Sequence, residues 1–469
     1  MATIPFDAMP GPSALGELGY ELSFPFFAVA IASAAALTLL GRPFAVRSAL
    51  ALRIGLAFLA VIALSYISNA ADIGGALFRE RSGINKFATS LMVILYGLSL
   101  AWLAEQLEPK HYARVLGRFV GWSASLATAY LAFEFAGRQG WLGGAFETLD
   151  HLIHSRQADV INPWDGSVNQ KVAFGWDQRL RSVSFEPPAF GNYTGFAWPW
   201  IWYAVVTAPA GRQLRTVALF LAFNIAILVA ANRTALLMLV ANTSTLALLW
   251  TIYRPRRSVG EAVAAARLAL PVVVMLSGVF AAWWTLTNYG SIVESVAIGD
   301  SVSNISRLGL QVAGWTMFVD HPIFGTGLGQ FGFHVSQYLP NWIFRSPEIA
   351  PMLRFPDAPW PNVFSLYARL GAELGAIGLV GWVVLWVGLG GAMALRTAIP
   401  DEKKVELFAR QAAIMNCVGV LVAGIASDTF RTPMMWIALG VAARLVAENR
   451  KVIAKKRVQP PAAEQAPRH

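Results

Sequence analysis

Apolar residues arrive along this chain in uninterrupted runs, each about as long as a helix needs to cross roughly 30 Å of hydrocarbon. They predict membrane-spanning helices near 24–41, 49–68, 86–104, 115–136, 189–207, 215–232, 233–252, 265–286, 372–395, 407–427 and 430–447. The expected fold is therefore all-α, a polytopic transmembrane helical bundle of about eleven spans. Two long segments, 137–188 and 287–361, interrupt the series. Loops of that length with little periodicity are usually functional in a compact domain. The chain thus divides into N-terminal helices (1–136), a first loop (137–188), a second group of helices (189–286), a large loop with short helices (287–361), C-terminal helices (362–447) and a tail (448–469). Residues 458–469, rich in Pro, Ala and charge, read as disordered. No internal repeat at a solenoid period appears, which weakens an inverted-repeat transporter.

Composition agrees with the pattern: 56% of the residues are hydrophobic and 14% charged, and the mean hydropathy is +0.51, which excludes an ordinary soluble domain. The net charge of +10 gathers in the short connections, at Arg42 and Arg47, Lys110 and Arg114, Arg212 and Arg215, Arg254, Arg256 and Arg257, and Arg396, Lys403 and Lys404. Such loops stay in the cytoplasm, which puts both long segments on the outer face. The charge is read as topology plus attraction to anionic lipid of the bilayer, with no nucleic-acid partner, because no soluble basic domain exists. The single cysteine, Cys417, falls in a span, so no intrachain disulfide can form. No cleavable signal is expected, since Arg42, the first basic residue, follows the first span.

Against this background a few polar residues stand out. Arg233, in Asn232-Arg233-Thr234-Ala235, lies where one apolar run ends and the next begins. A permanent cation at such a depth needs protein, water or an anion beside it. The first long segment ends in Arg181-Ser182-Val183-Ser184-Phe185-Glu186-Pro187-Pro188, where two prolines stop any earlier helix and fix Glu186 at the membrane boundary. Glu186 either complements a helix dipole or serves as a general base, with Arg181 nearby as an anion contact. The second long segment carries Arg307 and then Asp320-His321-Pro322-Ile323-Phe324-Gly325-Thr326-Gly327-Leu328-Gly329-Gln330-Phe331. Its glycines permit a tight turn, or let backbone N–H groups approach a phosphate; no preceding strand supports a dinucleotide site. His321 beside Pro322 reads as a cap or as a polar group of the cavity. Asp357 and Asn362 follow, and then Glu373 among small residues that suit close helix packing. An ionisable group in a span points into a polar cavity, so Glu373 is a cavity candidate. Arg431, in Ser427-Asp428-Thr429-Phe430-Arg431-Thr432-Pro433, is placed much as Arg233 is. Arg181, Arg233, Arg307 and Arg431 are each either an interface arginine or a ligand for a membrane-embedded anion, and a diphosphate suits their forked donors. Asp150-His151-Leu152-Ile153-His154 is a weak metal pattern, expected to tolerate Ala, and no metal site is assigned.

The order of these motifs resembles the O-antigen ligase/polymerase superfamily, enzymes of lipid-linked oligosaccharides in bacterial inner membranes. Asn232-Arg233-Thr234 is similar to the family's Ser-Arg pair opening a span, and Asp320 to Phe331 resembles its D-x-P-x-x-G-x-G-x-x-x-F pattern. Asn362 with Glu373-Leu374-Gly375-Ala376-Ile377-Gly378 completes the match, which covers about the second half of the chain; Arg181 to Gly191 looks like a stretch of the polymerases. The resemblance implies an inverting, metal-independent glycosyltransferase of the GT-C type, without cofactor. Its substrate would be an undecaprenyl-diphosphate-linked oligosaccharide, and a chain-length regulator is a candidate partner. It also implies that Arg233, Arg307 and Arg431 hold the diphosphate. Many relatives carry His-Asn where this chain has Pro361-Asn362, and that His is the favoured base of the ligases. Proline cannot accept a proton, so Glu186, or failing it Asp357, becomes the expected base and a polymerase the expected activity. A ligase is the runner-up, and a flippase for the same lipid-linked sugar is the alternative from another class.

Overall fold

The computed structural model describes residues 23–40, 50–154, 180–230, 232–252, 302–355, 360–395 and 404–458. In the N-terminal half, α1 (Ser23–Leu39), α2 (Leu50–Ser68) and the short α3 (Ala70–Gly75) lead through a two-residue hairpin, β1 (Leu77–Phe78) with β2 (Arg81–Ser82), into α4 (Gly83–Glu105). There follow α5 (Arg118–Arg138), α6 (Gly144–Ile153), α7 (Pro187–Thr207), α8 (Ala210–Val229) and α9 (Arg233–Ile252). The second half holds α10 (Val302–Asp320), α11 (Phe331–Tyr338), α12 (Ile349–Arg354), α13 (Leu366–Ala394), α14 (Lys404–Ala426) and α15 (Pro433–Val458).

This is an all-α membrane protein. Among the described residues six helices are long and apolar enough to cross a membrane, namely α2, α4, α8, α9, α13 and α14, and α1 is apolar but shorter. The expected spans at 115–136, 189–207 and 430–447 coincide with α5, α7 and α15, which lie outside those six. In α7 the reason is chemical: Trp198, Trp200, Trp202, Tyr193 and Tyr203 bury large apolar bodies but carry polar tips that lower hydropathy. The span expected at 265–286 lies outside the described residues, as does Asp357.

Helix α7 is the axis of the bundle. It packs against α5, α8, α9 and α14, and nearly every residue from Phe190 to Val206 is buried. Pro187 and Pro188 start it, since the first helical turn needs no N–H donors. Pro199 sits inside it and leaves the Gly195 carbonyl without its usual helical donor. The side-chain amide of Asn242 from α9 donates to that carbonyl at 3.2 Å, and Asn416 from α14 donates to the adjacent Phe196 carbonyl at 3.1 Å. Asn416 also accepts from the Trp200 indole at 2.7 Å, so a polar seam joins three helices where water cannot reach.

Helix α13 is broken rather than continuous. Gly375 has φ +65° and ψ −165°, which interrupts the ladder and frees the carbonyls before it and an N–H after it. The loop between α10 and α11 fills the gap. Thr326 and Gly327 donate their N–H groups to the carbonyls of Ala372 and Glu373 at 2.8 and 2.9 Å, while Ala376 donates to the Pro322 carbonyl at 2.8 Å. A methyl group on Gly375 would run into the Ile323 carbonyl. The end of α2 clamps the same loop, with the Ser65 hydroxyl on the Phe324 carbonyl at 2.6 Å and the Asn69 amide on the Gly325 carbonyl at 3.0 Å. Gly325 and Gly327 thus serve a backbone-to-backbone seat, and the N–H groups of Gly325, Thr326 and Gly327 are already bound to carbonyls.

Candidate functional site

Asn232 brings together two of the residues singled out by the sequence. It caps α9, its Oδ1 accepting the Thr234 N–H at 2.9 Å, and its side-chain amide donates across to the Pro187 carbonyl. The helix starts touch directly: an added Cβ on Gly191 would meet the Ala235 backbone nitrogen at 2.8 Å. Arg233, the first residue of α9, and Glu186, the residue before α7, therefore open neighbouring helices at one end of the bundle, and both are exposed. The Glu186 side chain makes no capping hydrogen bond with its own helix.

A second group forms around the start of α13. The Arg307 guanidinium lies 5.3 Å over the ring of Phe364. The backbone N–H groups of Val363 and Phe364 donate to Oδ2 of Asp428 at 2.7 and 3.2 Å, in the loop that carries Arg431. Nη1 of Arg369 donates to the Asp428 carbonyl at 2.7 Å, its Nε to Glu373 at 3.0 Å, and its plane lies 5.2 Å from the Phe430 ring. Glu373, only 3% exposed, is thus ion-paired with the half-buried Arg369. Arg307 and Glu373, from two different helices, thus belong to one connected network, and Arg431 follows Asp428 by three residues in the loop that this network includes.

A cleft is bounded by α7, α13, α14 and α15. Asn192 of α7 and the hydroxyls of Ser427, Thr429 and Thr432 line it, and Thr429 and Thr432 flank Arg431. Its walls are mainly apolar and include Phe196, Val420 and Met435.

Arg181 has other company. It is 3% exposed, its Nη2 donates to Asp150 at 2.9 Å, and its backbone N–H donates to Glu134 at 3.1 Å. Asp150 also accepts from the Tyr130 hydroxyl at 2.6 Å and lies 3.0 Å from Nδ1 of His154. Burial works to raise the Asp150 carboxyl, but the hydrogen bond and charge of His154, with the charge of Arg181, outweigh it and hold the group below its ordinary value. This corrects the expectation that Ala is tolerated at Asp150: the removal would strand buried Arg181 charge. His321 is exposed, with Nε2 3.5 Å from the Tyr338 hydroxyl, and Asn362 is exposed just before the Asp428-bound residues.

Residues 217–383 match the O-antigen ligase family. The match supports the O-antigen ligase/polymerase superfamily and, in general terms, a ligase/polymerase-type function on lipid-linked glycans at a multi-pass membrane protein. The O-antigen ligase stretch runs from α8 into α13 and contains Arg233, Arg307, His321, Asn362 and Glu373, whereas Arg181, Glu186 and Arg431 lie outside it. No curated protein matches the chain. Sequence reasoning passed over Arg369 and Asp428. The spacing of Arg369 and Glu373, one helical turn apart, was the available signal for the first.

Proposed function

We propose that this protein is an inverting, metal-independent glycosyltransferase of the GT-C type that joins undecaprenyl-diphosphate-linked oligosaccharide repeat units at the periplasmic face of the bacterial inner membrane. The observation that carries the reading is the Asn232 clamp, which ties together the adjoining helix starts at which the exposed residues Glu186 and Arg233 stand. Glu186 takes the proton of the attacking sugar hydroxyl as its oxygen bonds to the anomeric carbon of the donor. The bond from that carbon to the lipid diphosphate breaks on the opposite side. Arg233, Arg307 and Arg431 neutralise the charge that grows on the departing diphosphate. The uncharged hydroxyls of the cleft beside Arg431 suit a sugar or lipid segment of the substrate better than a second anion.

The test is a purified protein in detergent given a lipid-linked repeat. Growth of a glycan ladder, lost in Glu186→Gln, is expected. Near-normal polymer from that variant removes Glu186 from the base role, and absence of growth with the native protein removes the polymerase. The ligase reading is favoured by one observation, that the matched family is described as O-antigen ligase. A deletion strain separates the two, since loss of a polymerase leaves single-repeat products and loss of a ligase accumulates long lipid-linked chains. Elongation without a membrane also excludes a flippase.

A further inference from the structure

The loop between α14 and α15 holds an acidic residue to which the reading above gives no role. Asp428 is half-buried, and one of its oxygens accepts two successive backbone N–H groups, those of Val363 and Phe364, from the segment ahead of α13. That segment needs holding. Phe364 has φ +58°, a left-handed conformation that a bulky residue keeps only when its surroundings impose it. Its ring is also the surface against which the Arg307 guanidinium rests, at 5.3 Å. On its other side Asp428 is three residues from Arg431, and its carbonyl is tied to Arg369 of α13, which pairs with Glu373 one turn further along the same helix.

We infer that Asp428 is a positioning residue for the diphosphate-binding arginines: by pinning Phe364 it sets where Arg307 of α10 stands relative to Arg431 of its own loop. The inference rests on the proposed function, because it concerns arginines assigned there to the leaving group. Asp428 contributes geometry, through an oxygen that accepts two N–H groups, and its charge is secondary. An amide oxygen at the same place meets the same two donors.

The experiment measures elongation at varied concentrations of a lipid-linked repeat, using the full-length protein in detergent and counting only folded, monodisperse material. Asp428→Ala is expected to raise the apparent KM for the donor about tenfold. Asp428→Asn should stay within about threefold of the native protein. Phe364→Gly, which removes ring and backbone strain together, should raise KM as Asp428→Ala does. The double variant should add little to either single one, because both act through the same contact. A residue that merely supported the fold would lower the yield of active protein and leave KM unchanged. Should Asp428→Ala fail to fold, Phe364→Gly and Asp428→Asn carry the test. An unchanged KM in Phe364→Gly, or a rise of KM in Asp428→Asn as large as in Asp428→Ala, overturns the inference. In both of those cases Arg307→Ala still abolishes growth; normal growth by Arg307→Ala would instead remove the functional reading itself, and this inference with it.

Discussion

The Asn232 side chain donates to the Pro187 carbonyl across a separation of 45 residues, and that bond ties together the helix starts that carry Glu186 and Arg233. Two duties of one amide can be separated. Asn232→Asp keeps the oxygen that caps α9 but loses the donor, and places negative charge against a carbonyl. It should keep thermal stability close to native while glycan elongation drops. Asn232→Ala loses the cap as well, at about 1 kcal/mol. Melting temperature and elongation rate, measured side by side, check both.

The arginines should respond to geometry more than to charge. Replacing Arg233, Arg307 or Arg431 by Ala is expected to abolish chain growth with normal expression. Lys should rescue poorly, because a point charge cannot make the forked contact that a diphosphate invites. Full activity in any of the three Lys variants would show that a single positive charge suffices there.

The Asp150 cluster predicts an acid-sensitive contribution to stability. Its carboxyl is held below the ordinary 3.8 in the folded chain, so the contribution is complete above pH 3.8 and disappears as pH falls through the lower, folded value. Asp150→Asn should melt earlier than the native protein at neutral pH. The difference between the two should shrink below pH 3.8. Thermal unfolding in detergent across the acid range measures this, and a pH-independent gap would assign the cluster to packing alone.

Gly375→Ala tests the broken helix. The substitution places a Cβ at φ +65° and against the Ile323 carbonyl, and neither the backbone nor that loop can yield without losing hydrogen bonds. A cost of at least about 1–3 kcal/mol is expected from the conformation alone. Gly381, which faces open space in the same helix, should accept Ala with little change. Comparing the two melting temperatures isolates the break from helix propensity.

Much of the bundle is legible in the sequence because lipid imposes long apolar runs, and the starts of α7 and α9 follow from Pro187-Pro188 and Asn232. The break in α13 was not legible. Glycine in an apolar helix also serves close packing, and only the partner loop reveals that Gly375 is non-helical. That loop also changes the meaning of Gly325 and Gly327, whose spacing fits a turn and a phosphate cradle equally well until their neighbours are known. Arg369 escaped notice because α13 begins at Leu366, several residues before apolarity becomes continuous near 372. The stretch from Asp150 to His154 offered only a weak metal pattern, and nothing local announces that Arg181 pairs with Asp150 from 31 residues away.

The proline at 199 has a consequence for how the chain finds its final arrangement. Two asparagines on separate helices meet adjacent carbonyls of a third, and none of the three can slide by a turn along another without leaving a bare amide in hydrocarbon. Uniformly greasy surfaces would tolerate many alignments. This triad instead acts as a key that admits one longitudinal register, so that the two helix starts above it arrive level.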